Sequence, residues 1–324
     1  MEDPIYVWRH IAEDQGYFDE EGLTVEVTFV EGSPMAAQML VSGQADITWV
    51  GCAPTLNAYG AGYPMVSFLN VGSKFVFEVV VKEDSPITAW TADQIKGKVI
   101  GVSNLAGGEM PMLYGAIKTV GLVPNEDVIF KEIGEGQPLT FQQLEENEVD
   151  MYSSALSDVA RLESAGMKLR RVNPEGIEVF PFNTMVTLRP YFEENKDVCA
   201  RFARAVAKSF FWFYNNPEGA CNISSKYLPD VIVGYEEDII YFYNKLFIEV
   251  SQPPIGTMWG YHSYSGWDDY QRYLLKAGNV DPDEPITFTE VQDISKIIDD
   301  SIVKDALNFN LTKLIAEAKA YKMK

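Results

Sequence analysis

Apolar positions in the first half of the chain switch repeatedly between a period near 3.6 and a period of 2. Ile5, Trp8, Ile11 and Ala12 recur at helical spacing up to Gly16 and predict an opening helix. Residues 23–29, Leu-Thr-Val-Glu-Val-Thr-Phe, alternate and predict a strand. Ser33-Pro34 sets a capping hydroxyl ahead of a first-turn proline, and Met35, Met39 and Leu40 give that helix an apolar face. Asp46 to Val50 predicts the next strand, and Pro54 opens another helix. Met65–Val71 and Phe75–Val81 are apolar β runs, the second stopped by the charged Lys82-Glu83-Asp84-Ser85-Pro86. A second series follows: strand Lys98–Ser103, helix after Gly107-Gly108, strand Val128–Ile133, helix from Pro138, strand Val149–Ser153 and helix from Leu156. Phe182–Leu188 is β-rich and ends at Pro190. Beyond it the pattern is helical, over Phe192–Tyr214, Glu236–Glu249, Gly266–Ala277 and from Ile294 onward.

Strands alternating with helices predict an α/β fold with mainly parallel strands. The chain leaves one set near residue 82, builds another, and returns near 188. The expected organisation is therefore two lobes, residues 1–82 with 188–324 and residues 83–187, joined by two crossover strands and followed by a helical C-terminal extension. Clefts of that kind are favoured ligand sites.

The 324 residues suffice for two cores. No apolar run approaches the roughly 20 residues of a membrane span. No basic-then-apolar start resembles a signal peptide, so the protein is cytosolic or a leader lies outside the sequence shown. The net charge of −21, from 47 acidic and 26 basic side chains, opposes tracking of a nucleic-acid backbone and suits a solvated acidic surface. Three cysteines, Cys52, Cys199 and Cys221, make no disulfide framework, although Cys199 and Cys221 could pair. With two histidines, His10 and His262, a zinc site is improbable and no catalytic triad is visible. There is no phosphate-cradling loop and no GxGxxG after a strand.

Three runs carry a family resemblance. Residues 12–27, Ala-Glu-Asp-Gln-Gly-Tyr-Phe-Asp-Glu-Glu-Gly-Leu-Thr-Val-Glu-Val, resemble the opening of periplasmic binding proteins for taurine, alkanesulfonates, nitrate and thiamine-pyrimidine precursors. Gly32-Ser33, Leu40-Val41-Ser42-Gly43-Gln44-Ala45-Asp46-Ile47 and Gly51-Cys52-Ala53-Pro54 are similar to that family's second pattern. Ile95-Lys96-Gly97-Lys98-Val99-Ile100-Gly101-Val102 is similar to its passage into the second lobe. The resemblance covers roughly residues 10–190. It implies the type II periplasmic-binding-protein fold, a solute-binding rather than catalytic role, an ABC permease as partner, a monomer, and a periplasmic or membrane-associated extracellular location. Family members have a strand before the first helix, whereas little precedes Ile5 here. Either that strand lies outside the sequence shown or another element takes its place.

Ligands of open α/β sheets bind beyond the carboxyl ends of strands. Those ends supply the candidate ligand-binding residues. Gly32, Ser33, Gly51, Cys52 and Ala53 form two glycine-led helix starts with N–H groups for an anionic or carbonyl oxygen, although ordinary capping explains them equally. Trp49, Phe75, Phe77 and Tyr152 could stack on a planar ring or serve the core. Ser73, Asn104, Ser153 and Ser154 are adaptable hydrogen-bonding groups. Gly107 and Gly108 allow close approach to backbone or form a turn. Glu78, Glu109 and Asp158 could hold an amine or ring N–H, or be solvated acids. Lys74 is the one cation in these loops, which disfavours multiply charged phosphates. The expected ligand is a sulfonate, a pyrimidine or an aromatic or amino compound, and no cofactor or metal is expected. The aromatic run from Trp259 to Trp267 is a loop at the cleft or a packed surface loop. A pyrimidine-synthase-like enzyme on the same fold lacks its cysteine-rich motif here. A sensing domain would need a DNA-binding partner domain that this chain lacks.

Overall fold

The computed structural model describes residues 4–30, 32–105, 108–245, 253, 258–278 and 286–321. Eight strands follow in order: β1 Thr48–Gly51, β2 Met65–Asn70, β3 Phe77–Lys82, β4 Val99–Val102, β5 Ile129–Glu132, β6 Met151–Ala155, β7 Leu169–Arg171 and β8 Asn183–Leu188. They form a three-stranded sheet ordered β1-β8-β2 and a five-stranded sheet ordered β5-β4-β6-β3-β7. The chain divides into two compact units, Met1–Ser73 with Asn183–Tyr264 and Asp293–Lys324, and Lys74–Phe182 with Ser265–Gln292.

In the first unit β8 runs antiparallel to both neighbours, with Met185 opposite Trp49 and Val186 opposite Ser67. β2 is buried along its whole length. The 20-residue helix Lys196–Asn215 supplies much of this unit's core, burying Phe202, Val206, Phe210 and Phe213 on one stripe. Its polar stripe grips the turn after the short helix Tyr17–Glu20. Arg204 and Lys208 bond the Glu21 carboxylate at 2.6 and 3.0 Å, and Arg201 donates to the Glu21 carbonyl at 2.7 Å. Gly22, at φ +65°, makes the left-handed exit of that turn.

In the second unit β4 is parallel to β5 and β6, while β3 is antiparallel to β6 and β7. Val80, Leu144, Val149, Tyr152, Val159 and Leu162 share one buried cluster beneath this sheet. Helix Tyr264–Ala277 packs almost entirely here. Tyr273 fits the notch left by Gly115, where a Cβ would strike its ring, and donates to the Met112 carbonyl at 2.5 Å. Phe180 lies 4.9 Å from both Tyr270 and Tyr273.

Four expectations are corrected, and the open question of the cysteines is answered. Residues 23–30 form no strand; their alternation suits one, but no ladder bonds them among the described residues. The strands are not mainly parallel, because β8 and β3 each run antiparallel to both neighbours. β3 belongs to the second unit and β8 to the first, since each pairs there, so the boundaries fall at residues 73/74 and 182/183. Residues 265–292 join the second unit, held by the Tyr273–Gly115 fit. Cys199 and Cys221 are free, buried thiols and do not pair. β7, with its two arginines, carried no strand signal.

Candidate functional site

In the first unit, two helix starts and the start of β8 converge on Gly51. The helix containing Ser33 begins at Gly32, so the Ser33 hydroxyl does not cap it and accepts the Gly51 N–H instead, at 3.2 Å. A Cβ at Gly51 would lie 3.4 Å from Asn183 Oδ1 and 3.6 Å from Ser33 Oγ, so the glycine keeps this corner open. Helix Cys52–Gly60 begins at once, with Gly51 extended and no side chain capping it. Ala53 is half-buried in its first turn. Cys52 is buried, and burial pushes its thiol pKa well up, so it stays protonated and is no nucleophile. Ser73 accepts from Asn70 Nδ2 at 3.2 Å, which also donates to the Tyr261 carbonyl at 3.0 Å. Asn70 Oδ1 is buried without a partner among the described residues. Trp49 lies edge-on to Tyr6 and Trp8, at 5.6 and 5.9 Å, as part of an aromatic cluster.

The second unit gathers acids. Glu109 is 1% exposed and accepts the Ser103 N–H and hydroxyl at 2.8 and 2.6 Å. Burial pushes its pKa up; the Ser103 bonds pull against that, and the charge of Asp158 adds to the rise. Asp158 is buried, accepts from Ser154 Oγ at 2.5 Å, and has Arg161 Nη1 at 3.7 Å. Gly136, at φ +69°, passes so close to the Asp158 backbone that any Cβ there would collide with it. Glu109 and Asp158 thus stand as electrostatic neighbours, one just after β4 and one just after β6.

The remaining candidates in this unit separate from that pair. Glu78 is bonded by Arg171 at 3.2 Å, and Arg171 also pairs with Glu163, so Glu78 is part of a structural bridge. Tyr152 is fully buried in the core and donates to the Gly134 carbonyl at 2.8 Å; it offers no face for stacking. Ser153 is fully buried, its hydroxyl without a partner among the described residues. Phe75 meets Phe77, Phe180 and Tyr270 at 5.4 to 5.7 Å, and a Cβ at Gly108 would lie 2.6 Å from the Phe77 ring. Asn104 is half-buried beside Ser103. Gly107 lies outside the described residues. Among the described residues no group of three or more His, Cys, Asp or Glu could hold a metal ion.

Three polar elements escaped the sequence reading. Asn183 was hidden inside an apolar strand pattern. Arg171 gave no signal apart from its charge. The third is a Ser–His–Asp chain: Ser67 Oγ lies 2.6 Å from His262 Nε2, and His262 Nδ1 lies 2.5 Å from Asp300. The expectation that no such arrangement exists is therefore corrected. Ser67 has no exposed surface, so no substrate carbonyl can reach it. The chain instead fastens the 258–262 loop and the 297–300 segment to β2, together with the Ser67 N–H to Ile297 carbonyl bond at 2.8 Å. Trp259 is likewise packed, donating to Tyr214 at 3.0 Å.

A family model described as NMT1/THI5 like matches residues 5–220, more than half of the chain. The protein belongs to the NMT1/THI5-like family. The binding protein YtlA of Bacillus subtilis (strain 168) is 27% identical over 229 residues, 65% of this chain and 63% of that protein. The chain thus spans a little under two thirds of that relative. The riboflavin-binding protein RibY of Chloroflexus aurantiacus is 21% identical over 280 residues, 83% of this chain and 76% of that one. The periplasmic sulfonate-binding protein SsuA of Methylobacillus flagellatus KT superimposes with a TM-score of 0.62 at 16% identity, covering 95% of this chain and 89% of that one. This likeness shows that the family member has the periplasmic-binding-protein fold. Among the described residues no helix is long and apolar enough to cross a membrane.

Proposed function

We propose that this protein is the extracytoplasmic solute-binding component of an ABC importer, which captures a small organic solute and hands it unaltered to a membrane permease. The observation that carries the reading is the buried pair Glu109 and Asp158 at the ends of β4 and β6, acceptor groups with no activatable nucleophile beside them. A buried carboxylate calls for donors, as the bonds from Ser103 to Glu109 and from Ser154 to Asp158 illustrate. The solute class is therefore one with N–H donors, a ring amide or an amine. The names of YtlA, RibY and SsuA support the binding role, and that of RibY supports a ring-bearing solute. In the first unit, the Gly51 corner with Asn183 suits an oxygen-bearing group.

The mechanism needs only differential affinity. A solute that donates to the buried carboxylates stabilises the bound conformation, and a permease selects that conformation. Cys52 stays protonated and the Ser67–His262 pair is sealed, so no covalent step is available to either.

A thermal-shift screen against flavins, pyrimidines, aromatic amines, sulfonates and nitrate, followed by calorimetry, tests this. A true ligand at 100 times its dissociation constant adds about 2.7 kcal/mol. A saturable hit bearing N–H donors and recovered unchanged is the expected result. Turnover of the hit, or a preference for nitrate or simple sulfonates alone, would sink the reading.

A further inference from the structure

A cavity of about 430 Å³ in the first unit is lined by Tyr59, Pro64, Arg189, Ser295 and Lys296. The chain holds 47 acidic and 26 basic side chains, yet this lining contains two cations and no carboxylate. Arg189 directly follows β8, and its backbone N–H donates to the Pro64 carbonyl at 2.7 Å. Its guanidinium donates to the Lys296 carbonyl at 2.8 Å, which sets the two cations on adjoining walls, and to Asp299 at 3.3 Å. These bonds use two of the five guanidinium donors, and the other three have no partner among the described residues. Lys296 Nζ lies 3.8 Å from Asp293, with both side chains more than half exposed. So loose a pair contributes little in water and yields to a better partner. The Ser295 hydroxyl already donates to Asp293 at 2.6 Å, so the hydroxyl left to donate into the cavity is that of Tyr59. The Tyr59 ring is steadied by the core cluster of Leu40, Val50 and Met65.

We propose that this cavity binds a phosphomonoester dianion, free or at the head of a lipid. Two cations with no carboxylate in the lining call for a doubly charged oxyanion. The planar guanidinium and the Tyr59 hydroxyl donate to its oxygens, and Lys296 adds a point charge. A carboxylate monoanion would match only one of the two cations. The cavity has room for more than the phosphate group, and the Tyr59 ring and Pro64 give the organic part of an ester an apolar wall. A purely structural Arg189, clamping the 296–299 segment, accounts for two of its donors but not for a lining that gathers cations and excludes acids. The site shares no residue with the Glu109–Asp158 pair or the Gly51 corner.

Calorimetry on the 324-residue chain at constant ionic strength tests the site, with phenyl phosphate as the dianion and benzoate as the monoanion. Phosphatidylcholine vesicles with and without phosphatidic acid separate a lipid headgroup from a free ester. The expected result is saturable binding of phenyl phosphate, about tenfold tighter than that of benzoate. Lys296→Gln should weaken it about tenfold without lowering the melting point, because that side chain is 68% exposed. Tyr59→Phe should weaken it less. Lys304→Gln removes an exposed lysine of the same unit outside the cavity, so it reports the loss of one charge alone and should leave the affinity unchanged. Binding confined to the phosphatidic acid vesicles, and lost in Lys296→Gln, assigns the headgroup as the source. Absence of binding to both ester and vesicles overturns the proposal. So does equal affinity for benzoate, or an affinity that Lys296→Gln leaves unchanged. A solute that raises thermal stability in a chain indifferent to phosphate bears only on the proposed transport role, so the two readings fail separately.

Discussion

The strand ends of the two units carry opposite chemistry. In the first, the groups around Gly51 are uncharged: a serine hydroxyl, an asparagine amide and an uncapped helix start. In the second, two carboxylates are buried, each bonded by a serine hydroxyl. The uncharged corner rests on geometry, because a glycine keeps it open. The acidic pair rests on desolvation, because burial makes each carboxylate demand donors. Shape should therefore govern one and protonation the other, and the two should respond differently to substitution and to pH.

The largest effect expected lies in the first unit, away from its candidate residues. His262→Ala leaves the fully buried Ser67 hydroxyl and the Asp300 carboxylate without their partner, at a cost of about 3 kcal/mol. Calorimetry should show a melting point lower by about 8 °C. A fall of less than a degree would mean that water replaces the imidazole and that the 297–300 segment is held by its backbone bonds alone.

Next comes the acidic pair. Asp158→Asn keeps the shape and the bond from Ser154 but turns half of the group into a donor, which should weaken an N–H-bearing solute about 100-fold by calorimetry. Gly51→Ala in the first unit should leave the melting point nearly unchanged, because the added methyl meets Asn183 and Ser33 at ordinary contact distances and only fills space. If Asp158→Asn leaves the affinity unchanged, the carboxylates are structural.

What the sequence showed follows from where the information lies. The helix starts at Gly32 and Cys52 and the ends of β4 and β6 are local features, so glycine, proline and apolar periodicity marked them. The failures are non-local. Residues 23–29 have the alternation of a strand, but a strand exists only beside a partner. Tyr152 at a strand end was equally compatible with stacking on a planar ring and with the core, and only packing by Val80 and Val149 decides it. Leu169-Arg170-Arg171 reads as loop until Arg170 is seen bonding the carbonyls of Glu83, Ser85 and Ile87. Ser67, His262 and Asp300 are far apart in the chain, and periodicity cannot join them. The candidate site was legible as a set of loops. Among the candidate carboxylates, Arg171 claims Glu78, whereas Glu109 and Asp158 are bonded by serine hydroxyls, a difference that no sequence pattern carries.

The smallest effect is the most specific to the contrast. Glu109 has its pKa raised by burial, so its folded value lies above its unfolded one. Its contribution to stability is fully present below the unfolded value, near the ordinary 4.3 of a glutamate, and is lost as pH rises through the raised folded value. Glu109→Gln keeps an acceptor for both Ser103 bonds and removes the titration. Denaturant titrations at pH 4, 5.5 and 7 should show the variant gaining on the parent as pH rises, and the proposed solute binding more weakly to the variant at pH 7. Ser33→Ala, removing the acceptor of the Gly51 N–H, should give an offset of roughly 1 kcal/mol that is the same at all three pH values. Parallel profiles for both variants would show that Glu109 does not titrate in this range, and the distinction between a shape-governed and a protonation-governed corner would then fail.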